Sequence, residues 1–171
     1  MVRRTLCHVQ APEDLAANVI TSILAYSRKY YCEKSSLMHG VKDCLEGLKK
    51  RGIPMSICTN KDETVAQMLV SALGLSSYFN AIVGSRPDLV KKPDPLMLQI
   101  AAGAISSPME TTMMIGDSEV DAATGIAASS VSVIVCGGYC HKPYEELNVT
   151  HLLDGMDELL DIIDNQYLIS G

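Results

Sequence analysis

From residue 12 onward the chain switches repeatedly between apolar residues at helical spacing and short continuous apolar runs. Pro12 with Glu13 and Asp14 reads as a helix start, and Leu15, Val19, Ile20, Ile23, Leu24 and Tyr31 then recur at near-helical spacing, which predicts one long helix over 12–33. A second helix is expected over 41–51, with Leu45 and Leu48 inward and Gly52 as its stop. The compact run 53–58 reads as a strand that ends at Thr59-Asn60. The helix after it carries Val65, Met68, Leu69 and Leu73 on one face and stops at Gly74. Further strands are expected over 81–84, 112–115 and 131–135, with a short edge strand at 150–153, and further helices over 95–105, 119–128 and 154–163. Strands alternating with helices predict an α/β architecture with a mostly parallel sheet.

Composition narrows the class. A chain of 171 residues, 47% of them hydrophobic, is long enough for a real core and buries roughly 70% of its unfolded surface. The net charge of −6 and the absence of a long Lys/Arg run argue against nucleic acid as the main partner. No apolar run reaches the ~20 residues needed to cross a bilayer, and Arg3 and Arg4 are not followed by an apolar signal core. The expected location is therefore cytoplasmic, with no membrane partner. Cys7, Cys32, Cys44, Cys58, Cys136 and Cys140 form no C-x-x-C pair and read as reduced thiols. Cys136 and Cys140 with His141 would supply a soft-metal site, but the loop offers no fourth ligand.

In a parallel sheet, loops leaving the carboxyl ends of the strands converge on one edge, where ligands bind. Three polar clusters fall at such ends: Thr59-Asn60, Lys91-Lys92-Pro93-Asp94-Pro95, and Gly116-Asp117-Ser118 with Asp121. Thr59 and Asn60, at an expected helix N-terminus, suit phosphoryl oxygens. Lys92, ahead of a proline that fixes the turn, suits the negative charge shared by a nucleophile and a phosphate. Asp117, directly after a strand, is a hard oxygen ligand of the kind Mg²⁺ takes, and Asp121, one turn on, is placed to hold a metal-bound water or to orient Lys92. Each cluster also has a purely structural reading. Asn60-Lys61-Asp62-Glu63 and Ser118-Glu119-Val120-Asp121 both fit capping boxes, and a single lysine is commonly a solvated surface residue. Capping does not account for Asp117, and Gly116 lets the backbone approach a ligand closely.

The ordered trio resembles the haloacid dehalogenase-like hydrolase superfamily, in its phosphoglycolate phosphatase-like branch. The matching stretches are the strand leading to Thr59-Asn60-Lys61, then Lys92-Pro93-Asp94-Pro95, then Gly116-Asp117-Ser118-Glu119-Val120-Asp121. His39-Gly40-Val41, Leu73-Gly74-Leu75, Tyr78-Phe79 and Gly137-Gly138-Tyr139 supply supporting context. The resemblance implies a Rossmann-like three-layer α/β/α core and a Mg²⁺-dependent phosphomonoester hydrolase acting on a small phosphorylated metabolite through an aspartyl-phosphate. It implies catalytic roles for Lys92 and Thr59, substrate contacts from Thr59, Asn60 and Lys92, and metal binding by Asp117, with Asp121 behind it.

That family places its nucleophile and its general acid in Asp-x-Asp-Gly-Thr on the first core strand, and no Asp-x-Asp occurs in these 171 residues. In the family's strand order, 3-2-1-4-5, the absent strand lies between those ending at Thr59 and Asp117. Those two strands are then expected to pair directly or to leave inner edges unsatisfied, at about 1–3 kcal/mol per buried unpaired group. The expected organisation is a remnant of a helical cap and linker over 1–38 and a hydrolase core lacking its first strand over 39–171, with Met1 an internal start or a truncation. Three outcomes are compatible: an inactive piece of a phosphatase, a non-catalytic remnant that binds Mg²⁺ or an anion, or half of a split enzyme completed by another chain; the partner expected is such a complementing chain or, separately, further copies in a homo-oligomer.

Overall fold

The computed structural model of the chain describes residues 35–167 together with 15, 18, 19, 21–23, 25 and 26. Two compact units divide the chain, Met1–Ser36 and Leu37–Gly171. In the first, residues 15, 18, 19, 21–23, 25 and 26 are helical. Leu15 and Ile23 of the expected helix are exposed, and Val19, Ile23 and Tyr26 line an open apolar groove of about 420 Å³ with Asn18 and Ser22. The Pro12 start and the positions of Ile20, Leu24 and Tyr31 lie outside the described residues.

The second unit begins with helix α1 (Val41–Lys50), which buries Cys44, Leu45 and Leu48. Gly52, at φ +69°, turns the chain into the sheet as expected. Strand β1 spans Ser56–Asp62, so it begins and ends later than its apolar run. Just before it, Met55 is held by Asn80, whose N–H donates to the Met55 carbonyl (2.8 Å) while its side-chain oxygen accepts from Met55 N (3.3 Å). At the other end, Asp62 pairs with Ser85 after a register shift, so polar residues continue the extended chain. Helix α2 (Glu63–Ala72) is capped by the Asp62 carboxylate, which accepts from Val65 N at 3.1 Å. It buries Val65, as expected, together with Ala66 and Val70, while Met68, Leu69 and Leu73 of the expected face are half-buried.

Then follow β2 (Ala81–Ser85), α3 (Leu96–Gly103), β3 (Met113–Gly116), α4 (Glu119–Ala127), β4 (Val131–Val135), β5 (His151–Leu153) and α5 (Glu158–Ile162). The last helix starts four residues after its expected beginning at Asp154. Residues Ile163–Tyr167 continue it as a π-helical turn. No helix among the described residues is long and apolar enough to cross a membrane.

All described strand pairs are parallel. Successive side chains on each strand point to opposite faces, and the core divides accordingly. Ile57, Ile82, Met113, Ile115, Val133 and Val135 pack on one face with Cys44, Leu48, Val70 and Leu159 of α1, α2 and α5. On the other face, Val83 meets Met97 and Ala101 of α3, Met114 meets Leu98, and Ile134 meets Ala122 of α4. This is the three-layer α/β/α arrangement expected.

The sheet is interrupted at one place. β1 pairs with β2, and β3 with β4 and then β5, but no pairing among the described residues joins β1 to β3. Burial follows that break. β4, flanked on both sides, buries Ser132 to Val135. Every residue of β1 is half-buried except the exposed Lys61, and β3 buries only Met114. Of the two arrangements expected for these strands, direct pairing is not the one adopted.

Candidate active site

The carboxyl ends of β1 and β3 lie on either side of the break, and the loop between β2 and α3 brings Lys92 to both. Its ammonium donates to the Cys58 carbonyl of β1 at 2.9 Å and to Asp121 Oδ1 at 2.6 Å. The Lys92 side chain is only 8% exposed, whereas Lys91 is on the surface. The bland reading of Lys92 as a solvated surface group is therefore excluded. Asn60 holds this loop from both directions: its Nδ2 donates to the Lys92 carbonyl (3.0 Å) and its Oδ1 accepts from Lys92 N (2.9 Å). The Lys92–Pro93 peptide is cis.

Thr59 and Asn60 do not sit at a helix N-terminus, because β1 continues through them and α2 starts at Glu63. Thr59 Oγ1 accepts from Lys61 N at 3.2 Å, a local turn contact. Asn60, expected to touch substrate, has its amide turned onto the Lys92 backbone. The physical reason is the out-of-register pairing of Asp62, which keeps the chain extended for longer than its apolar run.

Ser118 caps α4, its hydroxyl accepting from Asp121 N at 3.3 Å, as the capping-box spacing predicts. Asp121 is buried in the first turn of that helix. Its carboxylate accepts from Lys92 Nζ, from Ser118 Oγ (2.6 Å) and from Asp117 N (3.2 Å). Gly116 permits this approach, since a Cβ there would fall 2.6 Å from Asp121 Oδ2. Burial pushes the Asp121 carboxyl up, but the Lys92 ammonium and the donors Ser118 and Asp117 outweigh it and hold the group below its ordinary value. Burial pushes the nearby Cys58 thiol up, with Lys92 opposing, so the thiol stays protonated at neutral pH.

Asp117 differs from its neighbour. It follows β3 directly and is half-buried, and no donor among the described residues is bonded to its carboxylate. The loop after β4 comes up against it. A Cβ on Gly138 would lie 2.6 Å from Asp117 Cγ, closer than real Cβ contacts run. No local pattern connects Gly138 with Asp117, since twenty-one positions separate them and the parallel pairing of β3 with β4 is what brings their ends together.

A family model for haloacid dehalogenase-like hydrolases matches residues 7–129. The chain belongs to that hydrolase family. A phosphoglycolate phosphatase of Cereibacter sphaeroides is 35% identical over 129 residues, covering 75% of this chain and 58% of that protein. A phosphoglycolate phosphatase of Pseudomonas syringae pv. syringae (strain B728a) is 30% identical over 166 residues, covering 94% of this chain and 60% of that protein. The crystal structure of a predicted phosphoglycolate phosphatase from Haemophilus somnus 129pt superposes with a TM-score of 0.84 at 23% identity, covering 94% of this chain and 73% of that one. The matched stretch thus spans less than two thirds of these curated relatives' length.

For this haloacid dehalogenase-like hydrolase chain, Lys92, Asp117 and Asp121 converge on one edge of the sheet, with Asn60 one step behind. The donor set also suits a hard cation in part. Asp117 offers oxygens that no described protein donor uses, whereas Asp121 already accepts from three donors. One free carboxylate is what Mg²⁺ takes when waters and a substrate phosphate complete its shell.

Proposed function

We propose that this chain is the larger part of a Mg²⁺-dependent phosphomonoester hydrolase of the phosphoglycolate phosphatase type. Its nucleophilic carboxylate and general acid would then come from outside these 171 residues, on a strand between β1 and β3. The observation that carries this reading is the combination of a largely buried Lys92–Asp121 ion pair with a donor-free Asp117, both at the edge of the interruption that the sheet shows among the described residues. The names of the matched relatives favour the same reaction class. On this reading, residues 39–171 form the hydrolase core and residues 1–38 a remnant of the cap and linker.

Lys92 holds a positive charge where a carboxylate nucleophile and a phosphate would meet, and its bonds to Asp121 and Cys58 fix the ammonium in place before substrate arrives. Asn60 sets the backbone that carries Lys92. Asp117 would hold the Mg²⁺, whose chemistry is to neutralise charge on the phosphoryl oxygens. Thr59, within β1 next to Cys58, would donate its hydroxyl to a phosphoryl oxygen. The supplied carboxylate attacks phosphorus as the ester oxygen leaves with a proton from the general acid, and water then releases phosphate from the aspartyl-phosphate.

The test uses the chain alone and the same chain joined to an upstream strand ending in Asp-x-Asp, with phosphoglycolate and an aryl phosphate as substrates in Mg²⁺. Phosphate release is expected only from the completed protein, and it is lost on Asp117→Asn. Turnover by the chain alone that disappears on Asp117→Asn would overturn the external nucleophile. Saturable Mg²⁺ binding without turnover in the completed protein would favour a non-catalytic remnant.

A further inference from the structure

The loop that follows β4 is tied down at points on both sides of Gly138. Gly137 N donates to Tyr144 Oη at 2.9 Å, and His141 N donates to Glu119 Oε2 at 3.1 Å, which fastens the loop to the first turn of α4. Between these ties Gly138 lies against Asp117, and Tyr139 stands 80% exposed at the loop's crest. Asp117 has no hydrogen-bond donor of its own among the described residues, so nothing polar fixes its carboxylate. Packing must do so. The Cβ, Cγ and Oδ2 of Asp117 all lie within the volume that a side chain at 138 would occupy.

We propose that the Gly137–His141 loop is a wall that sets the orientation of Asp117 for a hard divalent cation, and that Gly138 is its positioning residue. The inference rests on Asp117 as the metal ligand and goes beyond it, by assigning the control of that ligand to a segment that contributes no ligand itself. A carboxylate that binds a cation must be held to within about half an ångström of its productive position, and the supports of a ligand commonly matter about 10–100-fold in affinity. Glycine is required at 138 because the backbone itself is the contact surface. Any side chain would move either the loop, against its ties to Tyr144 and Glu119, or the carboxylate.

The experiment measures Mn²⁺ binding to the full 171-residue chain from the free-ion EPR signal, with Mg²⁺ as competitor and thermal unfolding recorded for each protein. Wild type is expected to bind saturably and Asp117→Asn not at all. Gly138→Ala is expected to weaken Mn²⁺ binding about tenfold or more. Gly103→Ala, at an exposed helix end where a Cβ meets nothing within 4 Å, is expected to leave it unchanged. Tyr144→Phe removes one tie without adding an atom, so it serves even if Gly138→Ala folds poorly, and it should lower affinity in the same direction by a smaller factor. Wild-type affinity in both Gly138→Ala and Tyr144→Phe would overturn the inference and leave Asp117 as the ligand. Binding retained in Asp117→Asn, or absent from wild type, would overturn both.

Discussion

Lys92 and Asp121 form a nearly dry ion pair, with side chains 8% and 10% exposed, so solvent screens it little. Such a pair matters as a unit. Lys92→Met leaves a buried carboxylate with one donor fewer and is expected to cost about 3–5 kcal/mol in urea unfolding. Adding Asp121→Asn to it should cost less than the sum of the two single changes, because the second removes the stranded charge. The pH dependence follows from the depressed Asp121 carboxyl. Its contribution is complete above the ordinary aspartate value of about 3.9 and is lost as pH falls from there through the lower folded value, where the unfolded chain binds the proton first. Acid titration of stability should therefore fall more steeply below about pH 4 in wild type than in Asp121→Asn. At the far end of the same helix, Ser129 adopts φ +57°, a conformation easy for glycine and costly for serine. Ser129→Gly is expected to raise stability by up to about 1 kcal/mol, read as a higher urea midpoint with an unchanged slope.

The helices and strands show which local signals suffice and which do not. Gly116, Ser118 and Asp121 were legible because a strand end, a cap and a helical turn are all short-range, so spacing alone sets their geometry. Asn60 was not. Its amide is committed to Lys92, thirty-two positions away, and no local pattern shows a contact that tertiary packing makes. The end of β1 was hidden similarly, because Thr59 to Asp62 are polar yet the strand continues through them to the pairing of Asp62 with Ser85 of β2. Gly84 marks where β2 meets α2. A Cβ there would fall 2.7 Å from Glu63 N, against backbone that cannot swing aside, and Glu63 also accepts from Gly84 N at 3.0 Å and pairs with Arg86. Gly84→Ala is expected to destabilise by about 1–3 kcal/mol, and circular dichroism should show the fold retained. The Arg51–Asp164 pair, by contrast, lies at the surface and joins the end of α1 to the Ile163–Tyr167 turn. Its removal should leave the urea midpoint nearly unchanged, because solvent screens a surface pair.

For the molecule as a whole, the layer architecture and the family were legible because apolar periodicity and motif order are properties of the entire chain. The place of the interruption was legible as well, though only through the family's strand order. Amide hydrogen exchange should reflect it, with β4 amides protected most and those of β1 and β3 facing the break exchanging sooner. Equal protection across all five strands would contradict a discontinuous sheet. Among the described residues, Lys92 links the two sheets through polar bonds: it reaches Cys58, thirty-four positions back, and Asp121, twenty-nine ahead. Strand pairing within each half joins nearer neighbours, from Ser56 with Ala81 to Val133 with His151. Folding should then proceed in two local episodes, each half assembling its own strands at modest loop-closure cost before the lysine joins them. The same ammonium that would meet a phosphate would thus act earlier in the molecule's life, as the last clasp to fasten.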